Sequence, residues 1–257
     1  MACPVLFASK VAAFAGLHKY VDFQQAVLDQ WYFQDPVGCA AACRQHGTKP
    51  ALEDPERVRE YGLRLQEAVD AADSSALHAV LDAIPDPDIR DAVRHEASKA
   101  RGTRDEAGAL DAIERLQGIN VVGRNDTLFK KEALLPSGRR VKVMGRIDGR
   151  AGGEIVEVKN RMRNFFDVIP LYERVQVQLY LWMTGAETCK FVQCLDGQVR
   201  CEIIPRDARF LDAVVWPEVD TSLDVLERAL ADDVDERVRL FQEGRLPDLL
   251  HKGGVRW

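Results

Sequence analysis

The sequence predicts an α/β fold in a single domain, with a central mixed sheet flanked by helices and further helices at both ends. Three observations carry this expectation. Strand-length apolar or alternating stretches gather between residues 118 and 205. A helical segment from Pro170 to Gly185 lies among them, and the residues before 118 and after 205 read as successive helices without an internal repeat or low-complexity linker. A chain of 257 residues is long enough to bury one sizeable core, and 46% hydrophobic with 30% charged residues is ordinary for a globular domain. The domain, 1–257, therefore divides into a helical part (1–117), an α/β core (118–205) and a helical tail (206–257).

The elements follow in order. Ser9 reads as the N-cap of a short helix whose apolar side is Val11, Ala12, Phe14 and Ala15 and which Gly16 ends. Cys39 and Cys43, four apart on an Ala-rich helix, pack there. Asp54-Pro55, Pro85-Asp86-Pro87 and Gly102 punctuate the following helices, with caps at Asp54 and Ser74. The next helix runs from near Thr103 to Gly118 and carries Glu106 in its first turn, where a carboxylate also complements the helix dipole.

VKVMGRID and EIVEVKN then read as two paired strands joined by the glycine-bearing turn RAGG. Side chains alternate along a strand, so Ile155, Glu157 and Lys159 share one face while Val156 and Val158 share the other. The valines can enter a core while Glu157 and Lys159 stand at its edge, and a tight turn brings Asp148 near them. Pro170 opens a helix that Gly185 ends, with Gln176 and Tyr180 on one face. CKFVQCLDGQVRCEIIP reads as a hairpin turned at Asp196-Gly197, and DTSLDVLERALADDVDERVRLFQ as acidic helices remote from it.

Two converging carboxylates are hard oxygen ligands that suit Mg²⁺ or Mn²⁺. A lysine beside them can position a water or stabilise charge on a phosphate. The layout is that of a metal-dependent phosphodiester-cleaving site, although Glu-x-Lys alone is common on exposed strands.

The ordered set Gly102-x-x-x-Glu106, Ile147-Asp148-Gly149, Glu157-Val158-Lys159 and Gln176-x-x-x-Tyr180 resembles the PD-(D/E)XK nuclease superfamily, in the branch of lambda exonuclease and YqaJ-type viral recombination nucleases. ASKVAAFAGLHKY is similar to that branch's amino-terminal signature, and the similarity spans about residues 6 to 205. The resemblance implies a restriction-endonuclease-like core and metal-assisted hydrolysis of DNA. Glu106, Asp148, Glu157 and the Val158 carbonyl would hold one or two Mg²⁺ or Mn²⁺ ions. Lys159 would orient the attacking water opposite the leaving 3′-oxygen. Gln176 would fix Lys159 or the substrate, and Tyr180 would brace the helix or simply fill the core, the latter being favoured. Ser9, Arg146, Arg161 and Arg163 would meet DNA phosphates, with a solvated strand-end arginine and a solubilising KNRMRN loop as the competing readings.

The branch usually carries a Trp and an Arg before the Ser-bearing helix, the Arg holding a terminal 5′-phosphate. Met1, Ala2, Cys3 and Pro4 stand here instead, which leaves end anchoring less secure than the chemistry. The implied partner is duplex DNA with a free end, processed in replication, recombination or repair. A structure-specific or restriction-type endonuclease and a catalytically silent DNA-binding module are the alternatives. A homo-oligomer, a ring trimer among the possibilities, stays open.

The net charge of −6 means that DNA must be met by local basic patches. Candidates are Lys130 with Lys131, Gly138 to Lys142, and Lys159 to Arg163. No apolar stretch of membrane-spanning length and no signal peptide is evident, so the expectation is an intracellular protein, cytoplasmic or nuclear, without a membrane; the resemblance leaves a viral origin open. The six cysteines suggest buried thiols; Cys189, Cys194 and Cys201 are spaced too loosely for an iron-sulfur cluster. His18 reads as a turn histidine with a possible reach to substrate, and His46, His78, His95 and His251 lack zinc spacing.

Overall fold

The computed structural model describes residues 3–45, 60–61, 64–65, 67–68, 79–84, 90, 106–161, 163–195, 197–231 and 233–241. Asp54, Ser74, Pro85 to Pro87, Gly102, Thr103, Asp196 and the histidines at 46, 78, 95 and 251 lie outside these residues.

Two sheets form the centre. In the first, β1 (Val5–Phe7) runs parallel to β3 (Arg140–Arg146), and β2 (Leu128–Leu134) pairs with β3 antiparallel. In the second, the order is β4-β5-β6-β7, comprising β4 (Gly149–Ala151), β5 (Glu154–Asn160), β6 (Thr188–Leu195) and β7 (Gln198–Pro205). β5 and β6 are parallel and therefore need a crossover, which the helix Leu171–Thr184 supplies.

Around the sheets lie α1 (Ala8–Phe14), α2 (Phe23–Gln34), α3 (Pro36–Gln45), a helix α4 over 106–117, the crossover helix α5 (Leu171–Thr184), a π-helical turn at Leu211–Val215, α6 (Trp216–Leu230) and α7 (Val234–Phe241). α5 ends as expected, at Gly185 in a left-handed conformation (φ 74°) whose N–H donates to the Leu181 carbonyl at 2.9 Å.

β5 explains how the core is divided. Ile155 joins the larger cluster with Leu179, Leu181 and Phe191, whereas Val156 and Val158 join a second cluster with Ala109, Leu110 and Ile113 of α4. The period-2 alternation thus serves two cores, one on each face of the sheet, as a strand buried on both sides requires. Glu157 shares the parity of Ile155 and is 2% exposed, so it stands inside the larger core and not at an edge.

Several sequence expectations change. The stretch VKVMGRID does not pair with EIVEVKN: β3 leaves the first sheet after Arg146, and a separate three-residue strand, β4, forms the hairpin with β5. The Gly152-Gly153 part of the proposed turn does close it, with Gly152 at φ 64°. The amino-terminal part is not wholly helical, because Val5–Phe7 pairs with β3. Ser9 is not an N-cap; Phe7 occupies that position without a side-chain cap. The unforeseen cap is Asp22, whose Oδ1 accepts from the Gln25 N–H at 3.0 Å to start α2. The acidic tail begins its helix at Trp216, before Asp220.

Candidate active site

Asp148 sits where the chain crosses from one sheet to the other. Glycines flank that crossing because backbone and side chains come close there. A Cβ on Gly145 would lie 2.7 Å from Tyr180 Cε1, and one on Gly149 would collide with Val121 Cγ1. The Asp148 carboxylate is fixed by the adjoining strand: its Oδ2 accepts from the Val158 N–H at 2.6 Å. β5 then presents Glu157 and Lys159 on the face toward α5, with the Lys159 Nζ donating to Glu157 Oε1 at 2.7 Å. From α5, Gln176 Oε1 accepts from the same Nζ at 2.9 Å, and Gln176 Nε2 donates to the Tyr180 hydroxyl at 3.0 Å. The i, i+4 spacing of Gln176 and Tyr180 makes that last bond possible.

These residues line a cleft of about 610 Å³, together with Glu106, Val158, Ser9, Arg146 and Asn125. Glu106 is held by Asn125, whose Nδ2 donates to Glu106 Oε1 at 2.7 Å. Asn125 has φ 52°, the sole positive φ of a non-glycine among the described residues. Asparagine tolerates this left-handed conformation, and a strained backbone commonly marks a functional position. The Gly-Arg-Asn-Asp run at 123–126 signalled a turn, but nothing in it pointed to Glu106 nineteen residues away.

Electrostatics set this cluster apart. Burial first, and then the charge of Glu106, push the Asp148 carboxyl up to about 7 against the pull of Lys159 and the Val158 N–H. Burial first, and then Asp148, push Glu157 up to about 8. Glu106 is raised by burial and by Glu157. Burial alone would lower the Lys159 ammonium, but Glu157 and Asp148 hold it above its ordinary value, so it is charged. Burial, then Glu157, raises the Tyr180 phenol. Three crowded carboxyls that resist ionisation together form an arrangement that a divalent cation relieves.

The donor set fits a hard cation. Glu157 Oε2 is buried and has no hydrogen-bond partner among the described residues, an oxygen whose burial is costly unless something binds it. Among the described residues no three His, Cys, Asp or Glu side chains stand as a ready metal group, since Glu106 is turned to Asn125 and Asp148 to the Val158 amide.

The four residues expected at phosphates part company. Ser9 and Arg146 are exposed and border the cleft. Arg163 is exposed but lies outside the lining. Arg161 turns inward, which corrects the expectation. It binds Glu173 through two nitrogens at 2.6 and 2.7 Å, donates to Gln193 at 2.8 Å and lies over the Phe166 ring at 4.2 Å. With its side chain 9% exposed, it fastens the start of α5 to the sheet. In the basic stretch Gly138 to Lys142, Arg139 is likewise committed. Arg139 pairs with Asp220, Asp224 and Glu227 of α6, while Arg140 and Lys142 face Glu132. Lys131 donates to the Trp182 carbonyl at 2.8 Å. Tyr180, favoured as core, is buried in the core and also reaches the cleft. Cys189 packs in the larger cluster and Cys194 and Cys201 against the other, so the three thiols serve opposite faces of the sheet.

No protein-family model and no curated protein matches the chain. Among solved structures it is similar to an alkaline exonuclease (LHK-Exo) from Laribacter hongkongensis, with a TM-score of 0.48 and 18% identity over 92% of this chain and 95% of that one. It is also similar to a phage-related exonuclease from Haemophilus somnus 129PT, with a TM-score of 0.41 and 13% identity over 52% and 72% of the two chains. No helix among the described residues is long and apolar enough to cross a membrane.

Proposed function

We propose that the protein is a Mg²⁺- or Mn²⁺-dependent nuclease that hydrolyses phosphodiester bonds of DNA, acting as an exonuclease on duplex ends in replication, recombination or repair. The observation that carries this reading is the chain of contacts from buried Glu157 through Lys159 to Gln176, beside Asp148, in a cleft bordered by Ser9 and Arg146.

The residues divide the chemistry as follows. Glu106, Asp148, Glu157 and the Val158 carbonyl would hold the cation. When bound, the cation supplies Lewis-acid stabilisation of phosphate charge and a lowered pKa for water. Lys159 is charged and has three N–H donors, two of which bond Glu157 and Gln176. The third is available for the attacking water or a phosphate oxygen. Gln176 fixes the ammonium by accepting a hydrogen bond from it while donating one to Tyr180, so the lysine is oriented before substrate arrives. Ser9 and Arg146, at the cleft border, meet phosphates of the strand being cut.

The test is cleavage of end-labelled linear duplex beside closed circular duplex, with Mg²⁺, Mn²⁺ or EDTA. The wild type degrades the linear DNA only with metal, and Lys159→Ala loses at least about a hundredfold in rate while remaining folded. Cutting of the circle would replace the exonuclease with an endonuclease. Tight binding of DNA without cleavage under any metal condition would make the protein a silent binding module.

A further inference from the structure

The cleft row of α5 continues outward. Tyr172, Gln176 and Tyr180 are spaced four apart, so they form one stripe along the helix with a rise of about 6 Å per step. Gln176 and Tyr180 line the cleft, and Tyr172 is the next position beyond it. There it meets the turn that follows α1. Gly16, at φ 67°, ends that helix with paired bonds from the Leu17 N–H to the Ala12 carbonyl (2.8 Å) and from its own N–H to Ala13 (3.0 Å). The chain is thereby aimed at the start of α5. A second turn is closed by the Val21 N–H on the His18 carbonyl (3.1 Å) and the Tyr20 N–H on His18 Nδ1 (3.3 Å).

Three rings meet as a result. His18 lies 4.1 Å from Tyr172 at a 33° tilt, and Tyr20 stands edge-on to both, at 6.3 Å and 6.2 Å. Tyr20 is 68% exposed, so its ring is largely open to a ligand from solvent. Two cations flank the rings: Lys19 Nζ sits 4.6 Å from the centre of the Tyr20 ring, and Lys10 is exposed next to cleft-lining Ser9. The Glu173 carboxylate acts on Tyr172 and His18 from the α5 side.

We infer that His18, Tyr20 and Tyr172 form a stacking platform for an unpaired nucleobase adjoining the cleaved phosphate, with Lys10 and Lys19 taking the neighbouring backbone charges. The inference rests on the nuclease reading and deepens it, since it assigns a single-strand binding step one helical turn from the reacting centre. Exposed aromatic rings flanked by cations are how proteins hold single strands without reading their sequence. Tyr20 is the anchor because it is exposed, while Tyr172 and His18 back it.

The experiment measures binding of a labelled single-stranded oligonucleotide of about ten nucleotides to the whole protein in EDTA, beside the same strand with abasic sites replacing its bases. Wild type, Tyr20→Ala and Tyr20→Phe are compared. Tyr20→Ala binds the base-bearing strand about tenfold to a hundredfold more weakly and the abasic strand unchanged, and Tyr20→Phe restores binding. If Tyr20→Ala weakens neither strand, or weakens both equally, the platform is overturned while the nuclease reading stands. If wild-type protein binds no strand at all, the platform is likewise overturned, and the nuclease reading is judged separately by cleavage of duplex DNA with metal. Tyr20 makes no buried contact that its loss would unfold, and an unchanged melting temperature confirms this for each variant.

Discussion

Glu157 and Asp148 are raised toward neutrality first by burial and then by a neighbouring carboxyl, Asp148 beside Glu157 and Glu106 beside Asp148. Their ordinary values are 4.5 and 3.8, so between those and the folded values of about 8 and about 7 the folded chain binds more protons than the unfolded one. Stability of the metal-free protein therefore falls as pH rises through that window and levels off above it. Lys159, raised above 10.5, contributes stability that is lost only at higher pH and does not enter the window. Melting temperature in EDTA should decline from about pH 5 to about pH 8, and Glu157→Gln, which cannot ionise, should flatten the decline. Parallel profiles for the two proteins would contradict the shared-site account. Asn125 supplies a second test at this scale. Asn125→Ala frees Glu106 and removes an asparagine suited to φ 52°, so the metal concentration giving half-maximal cleavage should rise about ten- to a hundredfold, with a smaller effect on the saturated rate. A lower rate with unchanged metal dependence would assign Asn125 another role.

At the scale of elements, the site depends on how β5 and α5 are joined. Ten residues separate Asn160 at the end of β5 from Leu171 at the start of α5, and Arg161 and Glu173 tie the two together by a buried, doubly bonded ion pair. Gln193 of β6 completes the knot by accepting from Arg161 and from the Phe166 N–H and donating to the Phe166 carbonyl. Removing one partner leaves the other charge buried without compensation. Arg161→Ala should cost about 3 to 5 kcal/mol of stability in a denaturant titration. A variant that kept its stability but lost DNA affinity would return Arg161 to the phosphate role the sequence suggested. The same alternation that buries Ile155 and Val156 in different clusters sets Glu157 toward α5, so an even shift of β5 would preserve its face, whereas a one-residue slip would reverse it.

For the whole molecule, charge is the constraint. The net charge is −6, and two of the basic residues nearest the sheets are paired internally, Arg139 with α6 and Arg161 with Glu173, while Arg140 and Lys142 share Glu132 at the surface. On the proposed function, exposed Arg146 at the cleft is a contact for phosphate. Arg146→Ala should weaken duplex binding across sequences and reduce the slope of log affinity against log salt by about one. An unchanged slope would mean that Arg146 is merely solvated. Arg139 is instead structural, holding α6 to the turn at Ser137, where Asp220 also accepts from the Ser137 N–H and hydroxyl at 2.7 Å.

Local chemistry made part of this molecule legible in its sequence. Period-2 alternation fixed the face of β5 that Glu157 and Lys159 share, four-residue spacing fixed the stripe of Gln176 and Tyr180, and Pro170 and Gly185 bounded α5, because each depends on backbone geometry within a few residues. The grouping of Glu106, Asp148, Glu157, Lys159 and Gln176 in one cleft was anticipated through the order of short motifs. The partners of the strands were not. β5 pairs with β6 across a helix and β3 with β1 across more than a hundred residues, choices made by packing and not by any local pattern. The same is true of Arg161, whose surface-like context Lys-Asn-Arg hid a buried ion pair, and of Asn125, whose turn is written locally but whose partner Glu106 comes from another element. Sequence alone determined which residues could carry the chemistry and on which face each would stand. Tertiary structure decided which of them meet and which charges are spent inside the fold, because long-range pairing and burial are settled by the whole chain at once.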